Sequence, residues 1–284
     1  MKLVRYGEWG KEKPGVRINE DEIVDISEYE FDYDPDFFTE GWLENLAAWL
    51  DDNRENAPKV RLSETRIGAP LSLPGKIICV GQNYHAHIKE TGAKVPGEPV
   101  LFMKATSALN GPYDPVEIPR QSQQTDWEVE LAVVIGKKAK YVEEEHALEY
   151  IAGYTIMNDI SERQFQKERF GQWTKGKSHD TFAPLGPCIV TRDELRNVQN
   201  LEMTLEVNGE RMQAGNTNDM IFPVKHLIAY ISQFMTLHPG DIVSTGTPPG
   251  VGLGQKPPRF LQPGDTIEAA IAGLGSQKQS VISA

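Results

Sequence analysis

Cysteine is scarce in this chain: Cys79 and Cys188 are the only two in 284 residues. Two isolated thiols in apolar runs form neither a disulfide framework nor a metal-ligand pattern, and they are expected to pack as small buried residues. No run of about 18 apolar residues occurs, which argues against a membrane-spanning helix. The start, Met1-Lys2-Leu3-Val4-Arg5, shows no apolar stretch followed by a small-residue cleavage site, so a cytoplasmic protein is expected. Positive charge is also in short supply, with 29 Lys and Arg against 41 Asp and Glu for a net charge of −12. Phosphate binding needs clustered cations, so a nucleic-acid surface is excluded. The Gly-rich segment Ser244–Gly252 lacks the Gly-Lys-Ser/Thr ending of a phosphate loop, which excludes a nucleotide site there. There is no internal repeat.

What remains is an ordinary globular composition, long enough to bury a full core. The first 70 residues hold 17 acidic and 9 basic side chains, so −8 of the net charge sits there. They read as a small N-terminal α/β domain spanning 1–71, with strands at 2–6, 16–18 and 22–26, a helix near 43–50 and a polar loop at 51–58. Residues 72–284 read as a second, larger domain. Short strands dominate it, at 76–80, 100–103, 128–135, 151–159, 188–191, 202–208, 241–244 and 266–271. Asn208-Gly209 signals a hairpin turn, and an amphipathic helix covers Leu227 to Met235. Strands and helices do not alternate regularly, so a doubly wound parallel sheet is not expected; the class is α+β, predominantly β.

Three carboxylates stand out. Glu128 and Glu130 are two apart on a strand and project to one face; Asp159 ends another strand-like run. Such an alternation is most often the wet face of a half-buried sheet. Its other reading is a set of hard oxygen ligands for Mg²⁺ or Mn²⁺. Further constellations accompany it. His87 and Glu90 lie three apart after the strand 76–80, where a carboxylate can fix one imidazole nitrogen and make the other a better base. His85 competes as a base but has Ile88 and Lys89 at the positions an acid would need. Arg163 and Gln166 share a helix face suited to a small acid's carboxylate or keto oxygen. Lys177, in a loop dense in Gly and Pro, can neutralise charge that develops on an enolate.

In order along the chain these segments resemble the fumarylacetoacetate hydrolase superfamily. The resemblance rests on Asn-Tyr-x-x-His-x-x-Glu (Asn83 to Glu90), Pro-x-Leu-Phe-x-Lys (Pro99 to Lys104), Glu-x-Glu-Leu and Asp159. It extends to the loop Lys177 to Pro187 and to Thr-Gly-Thr-Pro-x-Gly-Val-Gly (Thr245 to Gly252). It covers roughly Lys76 to Ile271 and implies a mixed β-sandwich roll, usually a homodimer. It further implies Mg²⁺ or Mn²⁺ on Glu128, Glu130 and Asp159, with His87 and Glu90 as a base dyad on a lid helix. Lys104, Arg163, Gln166, Lys177 and Thr247 would then surround a small keto acid. His179 departs from the pattern, where an aromatic or apolar residue is more usual, and this bears on substrate shape.

The expected activity is metal-dependent hydrolysis of the carbon–carbon bond of a 2,4-diketo acid, an acylpyruvate or a 2,4-diketo-3-deoxy sugar acid, to pyruvate and a carboxylic acid. His87 would activate water for attack at C4, and the metal with Lys177 would stabilise the enolate left behind. Oxaloacetate decarboxylation, or isomerisation or hydration of a hydroxymuconate-type acid, would use the same site without activating water at C4. A non-catalytic keto-acid-binding protein would need the ligands and Arg163 but not the His87–Glu90 pair.

Overall fold

The runs richest in Val and Ile become the middle of one long sheet. The computed structural model describes residues 1–195 and 197–284. In it Val129–Ile135 lies between two antiparallel neighbours, Ile151–Asn158 and Ile242–Ser244. Every residue of Val129–Ile135 and Ile151–Asn158 is buried, because both faces of these strands are covered. That is why they read as continuous apolar runs instead of alternating ones. Ile242–Ser244 pairs in parallel with Ile77–Gly81, and Val100–Lys104 closes that edge antiparallel to it. On the other side Ile151–Asn158 pairs with Ala183–Thr191.

The sheet does not stop where the larger domain was expected to begin. Lys2–Tyr6 pairs antiparallel with Ala183–Thr191, placing Leu3 opposite Ile189, and the ladder continues through Lys13–Arg17, Glu22–Asp25 and Lys59–Arg61. The strands of residues 1–71 therefore extend the same sheet. Their helix, Trp42–Asn53, buries Leu46 and Leu50 and includes three residues, 51–53, read from sequence as loop.

A five-stranded sheet, in the order Glu210–Asn216, Glu202–Val207, Thr266–Ile271, Gly275–Ser283, Val116–Ile118, packs on the central strands. Its members alternate buried and open positions, as a sheet with one face on the core should. The expected hairpin forms at Asn208-Gly209, both with positive φ (54° and 77°), a turn whose twist matches the flanking strands. The architecture is thus mixed α+β and mostly strand, with packed sheets. No described helix is long and apolar enough to cross a membrane.

Candidate active site

Register brings the three carboxylates together. Val129 pairs with Asn158 across the antiparallel ladder, and the Asp159 amide donates to the Glu128 carbonyl at 2.8 Å. Asp159 thus emerges beside the start of the strand that carries Glu130. Glu128, Glu130 and Asp159 each present an oxygen within 4.8 Å of the others, and all three side chains are buried. The wet-face reading of the Glu-Val-Glu alternation does not apply here.

Buried carboxylates need partners, and two of the three take theirs from cations. Lys177 Nζ donates to Glu128 Oε2 at 2.7 Å and to Asp159 Oδ2 at 2.6 Å. Arg163 donates to Glu128 Oε1 at 2.7 Å, and Lys104 to Asp159 Oδ1 at 2.5 Å. Glu130 differs: it accepts from the Ser244 hydroxyl at 2.5 Å and the Gly246 amide at 2.9 Å. Among the described residues no side-chain cation reaches it.

The electrostatics follow. Burial opposes ionisation of Glu128, but Lys177 and then Arg163 outweigh it and hold the carboxyl well below its usual range. Burial likewise works against the Lys177 ammonium, and Asp159 and Glu128 more than compensate, pushing its pKa up. Glu130 is pushed up to about 8, first by burial, then by the charges of Asp159 and Glu128. The cluster is therefore short of positive charge at Glu130. An all-oxygen donor set, an ammonium already bridging two of its members, and a third held protonated near neutrality are what a hard divalent cation would relieve. The residues fit Mg²⁺ or Mn²⁺.

Above the carboxylates lies a cavity of about 180 Å³. Its floor includes Glu128 and Glu130, and its walls carry His87, Thr247, Phe102 and Trp173. The His87 and Glu90 side chains meet as the spacing predicts: His87 Nδ1 is 3.2 Å from Glu90 Oε2 on the helix His85–Thr91. Glu90 Oε1 is itself fixed by the Gly250 amide at 2.9 Å. Gly250 has φ +104°, and a Cβ there would fall 1.9 Å from the Met212 carbonyl oxygen, so only glycine fits. His85 is exposed and off the cavity wall.

Arg163, Gln166, Lys177 and Thr247 all reach the wall. Thr247 donates to the Val129 carbonyl at 2.9 Å and accepts from Gln213 at 2.8 Å, so its hydroxyl is largely committed to the fold. Lys104 is the exception, lying behind Asp159 and away from the wall, bonded also to the Ile160 carbonyl at 3.1 Å. In this position it orients Asp159 instead of touching a ligand. His179 is off the wall too, packed between Phe165 and Phe182 at ring distances of 5.5 and 5.2 Å.

Several supporting residues escaped the sequence reading. Asp126, fully buried, accepts from Arg163 Nε at 2.8 Å and from the Gly252 and Leu253 amides, which fixes the guanidinium. Ser244 holds Glu130, and Asn158 Oδ1 accepts from the Glu128 amide at 3.0 Å. Their adjacency to predicted ligands, Asp126 two before Glu128 and Asn158 just before Asp159, was the available signal.

Comparison with known proteins bears on this arrangement. Residues 76–282 match the family model described as fumarylacetoacetate (FAA) hydrolase C-terminal. A Burkholderia orbicola (strain MC0-3) protein named "Putative hydrolase" is 51% identical over 280 residues, 98% of each chain. Among solved structures, a fumarylacetoacetate hydrolase from Exiguobacterium antarcticum aligns with TM-score 0.88 at 38% identity over 100% of both chains. A 5-carboxymethyl-2-hydroxymuconate delta-isomerase from Mycobacterium smegmatis aligns with TM-score 0.81 at 33% identity, again over 100% of both. A maleylpyruvate hydrolase from Sphingobium sp. SYK-6, solved with manganese(II) and pyruvate, aligns with TM-score 0.84 at 30% identity, over 100% of this chain and 99% of that one. With most of its length matched by the family model and its whole length by relatives of this kind, the chain belongs to the fumarylacetoacetate hydrolase family.

Proposed function

We propose that the protein is a metal-dependent hydrolase that cleaves the C3–C4 bond of a 2,4-diketo acid, giving pyruvate or a close relative and a carboxylic acid. The observation that carries this reading is His87, paired with Glu90, on the wall of a cavity floored by Glu128 and Glu130. Decarboxylation and isomerisation have no use for a base that activates water at C4, whereas hydrolysis requires one.

A divalent ion held by Glu128, Glu130 and Asp159 would supply Lewis-acid polarisation of the 2-oxo acid and neutralise charge that develops on it. The chain's own groups do the rest. Glu90 accepts from His87 Nδ1, which leaves Nε2 as the basic nitrogen. His87 takes a proton from water, and the hydroxyl adds to the C4 carbonyl. C3–C4 then breaks, its electron pair passing to C3 as the enolate of pyruvate, and the acyl part leaves as a carboxylic acid. The proton held on His87 is available for return to C3, which balances the reaction as diketo acid plus water. Lys177, held charged beside the cavity floor, favours the enolate over the neutral ketone.

His87→Ala should lower kcat by about 10²–10⁴ while metal content stays that of the parent. Full activity of that variant on every diketo acid tested would remove the dyad from the mechanism. Turnover of oxaloacetate but of no diketo acid would make the protein a decarboxylase.

A further inference from the structure

Asp126 lies off the cavity wall, fully buried, and its carboxylate takes four N–H donors. Oδ1 accepts from the Trp127 amide at 2.8 Å and the Gly252 amide at 2.7 Å. Oδ2 accepts from Arg163 Nε at 2.8 Å and the Leu253 amide at 3.0 Å. An ionised carboxylate offers about four lone-pair sites and no proton, so the group is filled. A neutral amide of the same size has one oxygen, and its NH₂ would face two of these donors.

The four bonds lead in two directions. One runs to Arg163, at the start of the helix Arg163–Lys167, whose guanidinium reaches the cavity wall. The other runs to the turn 250–254. A Cβ at Gly252 would fall 1.9 Å from the Arg259 carbonyl oxygen and 2.8 Å from Asp126 Oδ1, so that side of the turn has no room for a side chain. The other side is just as close to the dyad. The Gly250 amide donates to Glu90 Oε1 at 2.9 Å, and a Cβ at Gly254 would fall 2.6 Å from the Glu90 carboxyl carbon. Trp127 adds a second tie from the same strand entry, its Nε1 donating to the Gly250 carbonyl at 3.1 Å.

The helix His85–Thr91 depends on such an anchor. Ile88 alone of its seven residues is buried, and four are exposed. The Ala86 amide is held by Asp219 Oδ2 at 2.9 Å, near the start of the helix, and Glu90 holds the other end through the turn. An element with so few buried contacts opens at little cost once a tie is lost.

We infer that Asp126 is a positioning residue for both halves of the reaction centre. Its one carboxylate aims Arg163 and, by way of the turn 250–254, holds Glu90 against His87. The consequence for catalysis rests on the hydrolase reading above; the tie from Asp126 to Glu90 does not.

Hydrogen exchange on full-length Mn²⁺-loaded protein, read by mass spectrometry, tests the tie without a substrate. Asp126→Asn should speed exchange by about 10-fold in both 250–254 and His85–Thr91, as loss of a charge-assisted hydrogen bond allows. Val129–Ile135 should keep its parent rate. A helix that exchanges at the parent rate would overturn the inference. Kinetics on the diketo acid the parent turns over best then read the consequence. Asp126→Asn should lower kcat by about 10–100-fold through a misplaced dyad and raise KM through Arg163. In a His87→Ala background the kcat loss should disappear and the rise in KM should remain. A kcat loss of equal size with and without His87 is what a merely structural role gives, and it would overturn the inference as well. Trp127→Phe keeps a ring in the core and removes the donor to Gly250. It should lower kcat at constant KM, again only where His87 is present, and it carries the test should Asp126→Asn not fold. Full activity of His87→Ala with both segments loosened by Asp126→Asn would uphold the tie and sink the hydrolase reading. An impaired His87→Ala beside an Asp126→Asn with parent kcat and parent exchange would do the reverse.

Discussion

Removing the metal should destabilise this protein by an amount that grows with pH, and Glu130 sets the window. In the folded, metal-free protein its carboxyl is pushed up to about 8 from an ordinary 4.5. A group whose pKa is raised by folding stabilises the fold fully below its unfolded value, and that contribution is lost as pH climbs through the folded value. The metal-free protein therefore loses stability between pH 4.5 and about 8 through this residue. Metal binding runs the other way, because an ion must displace the Glu130 proton and binds more tightly as pH rises. At about 1.4 kcal/mol per proton per pH unit, the stabilisation by a bound ion should grow by about 2 kcal/mol from pH 6 to pH 8. For a chain of this length that is about 4 °C in melting temperature. The assay is thermal unfolding of chelated and Mn²⁺-loaded protein at each pH, with the gap between the two as the readout. His87→Ala should keep the slope of the gap and Glu130→Gln should abolish it. A gap that stays flat with pH while metal remains bound would refute the reasoning.

Two further substitutions probe the supports of the site. Lys177→Met strands Glu128 and Asp159 without their shared ammonium; loss of one partner of a buried pair costs about 3–5 kcal/mol. The melting temperature of the chelated variant should fall accordingly, and added Mn²⁺ should recover more stability than in the parent. Gly250→Ala places a methyl against the Met212 carbonyl at a φ that only glycine adopts easily, so the amide that anchors Glu90 must move. Its kcat should fall while metal content, measured by elemental analysis, stays near the parent value.

The core of the molecule was readable because its residues combine period, composition and punctuation. Val129–Ile135 and Thr266–Ile271 are β-branched or small-residue runs bounded by turns, and they lie within a residue of their expected limits. Two strands were less legible, for physical reasons. Ala183–Thr191 was expected only from Cys188, since Pro184, Gly186 and Pro187 look like a loop. Gly275–Ser283 was not expected at all, because two of its three buried positions are the amides Gln277 and Gln279, with Val281 the third. Their amide groups donate to the carbonyls of Ile156, Pro184 and Pro112, so a polar-looking tail becomes a core strand through hydrogen bonds no hydropathy pattern registers. The shared face of Glu128 and Glu130 and the reach of His87 to Glu90 could be read from spacing, whereas the meeting with Asp159 depends on the register of two strands. Lys104 as a support instead of a lining residue was not legible, because its direction depends on tertiary packing.

The charge arrangement differs from that of a structural ion network. Four acids, Asp126, Glu128, Glu130 and Asp159, face three cations, Lys104, Arg163 and Lys177. A network serving only the fold gains nothing from a fourth buried acid that no cation reaches, since the desolvation cost of such a group exceeds what a hydroxyl and an amide return. Glu130 carries that cost, and it does so on the floor of a cavity whose wall carries His87, itself paired with Glu90. A deficit of one cation next to open volume is a binding potential for a positive charge that arrives from outside the chain. The buried surroundings then give that charge more leverage on a substrate than it would have in water.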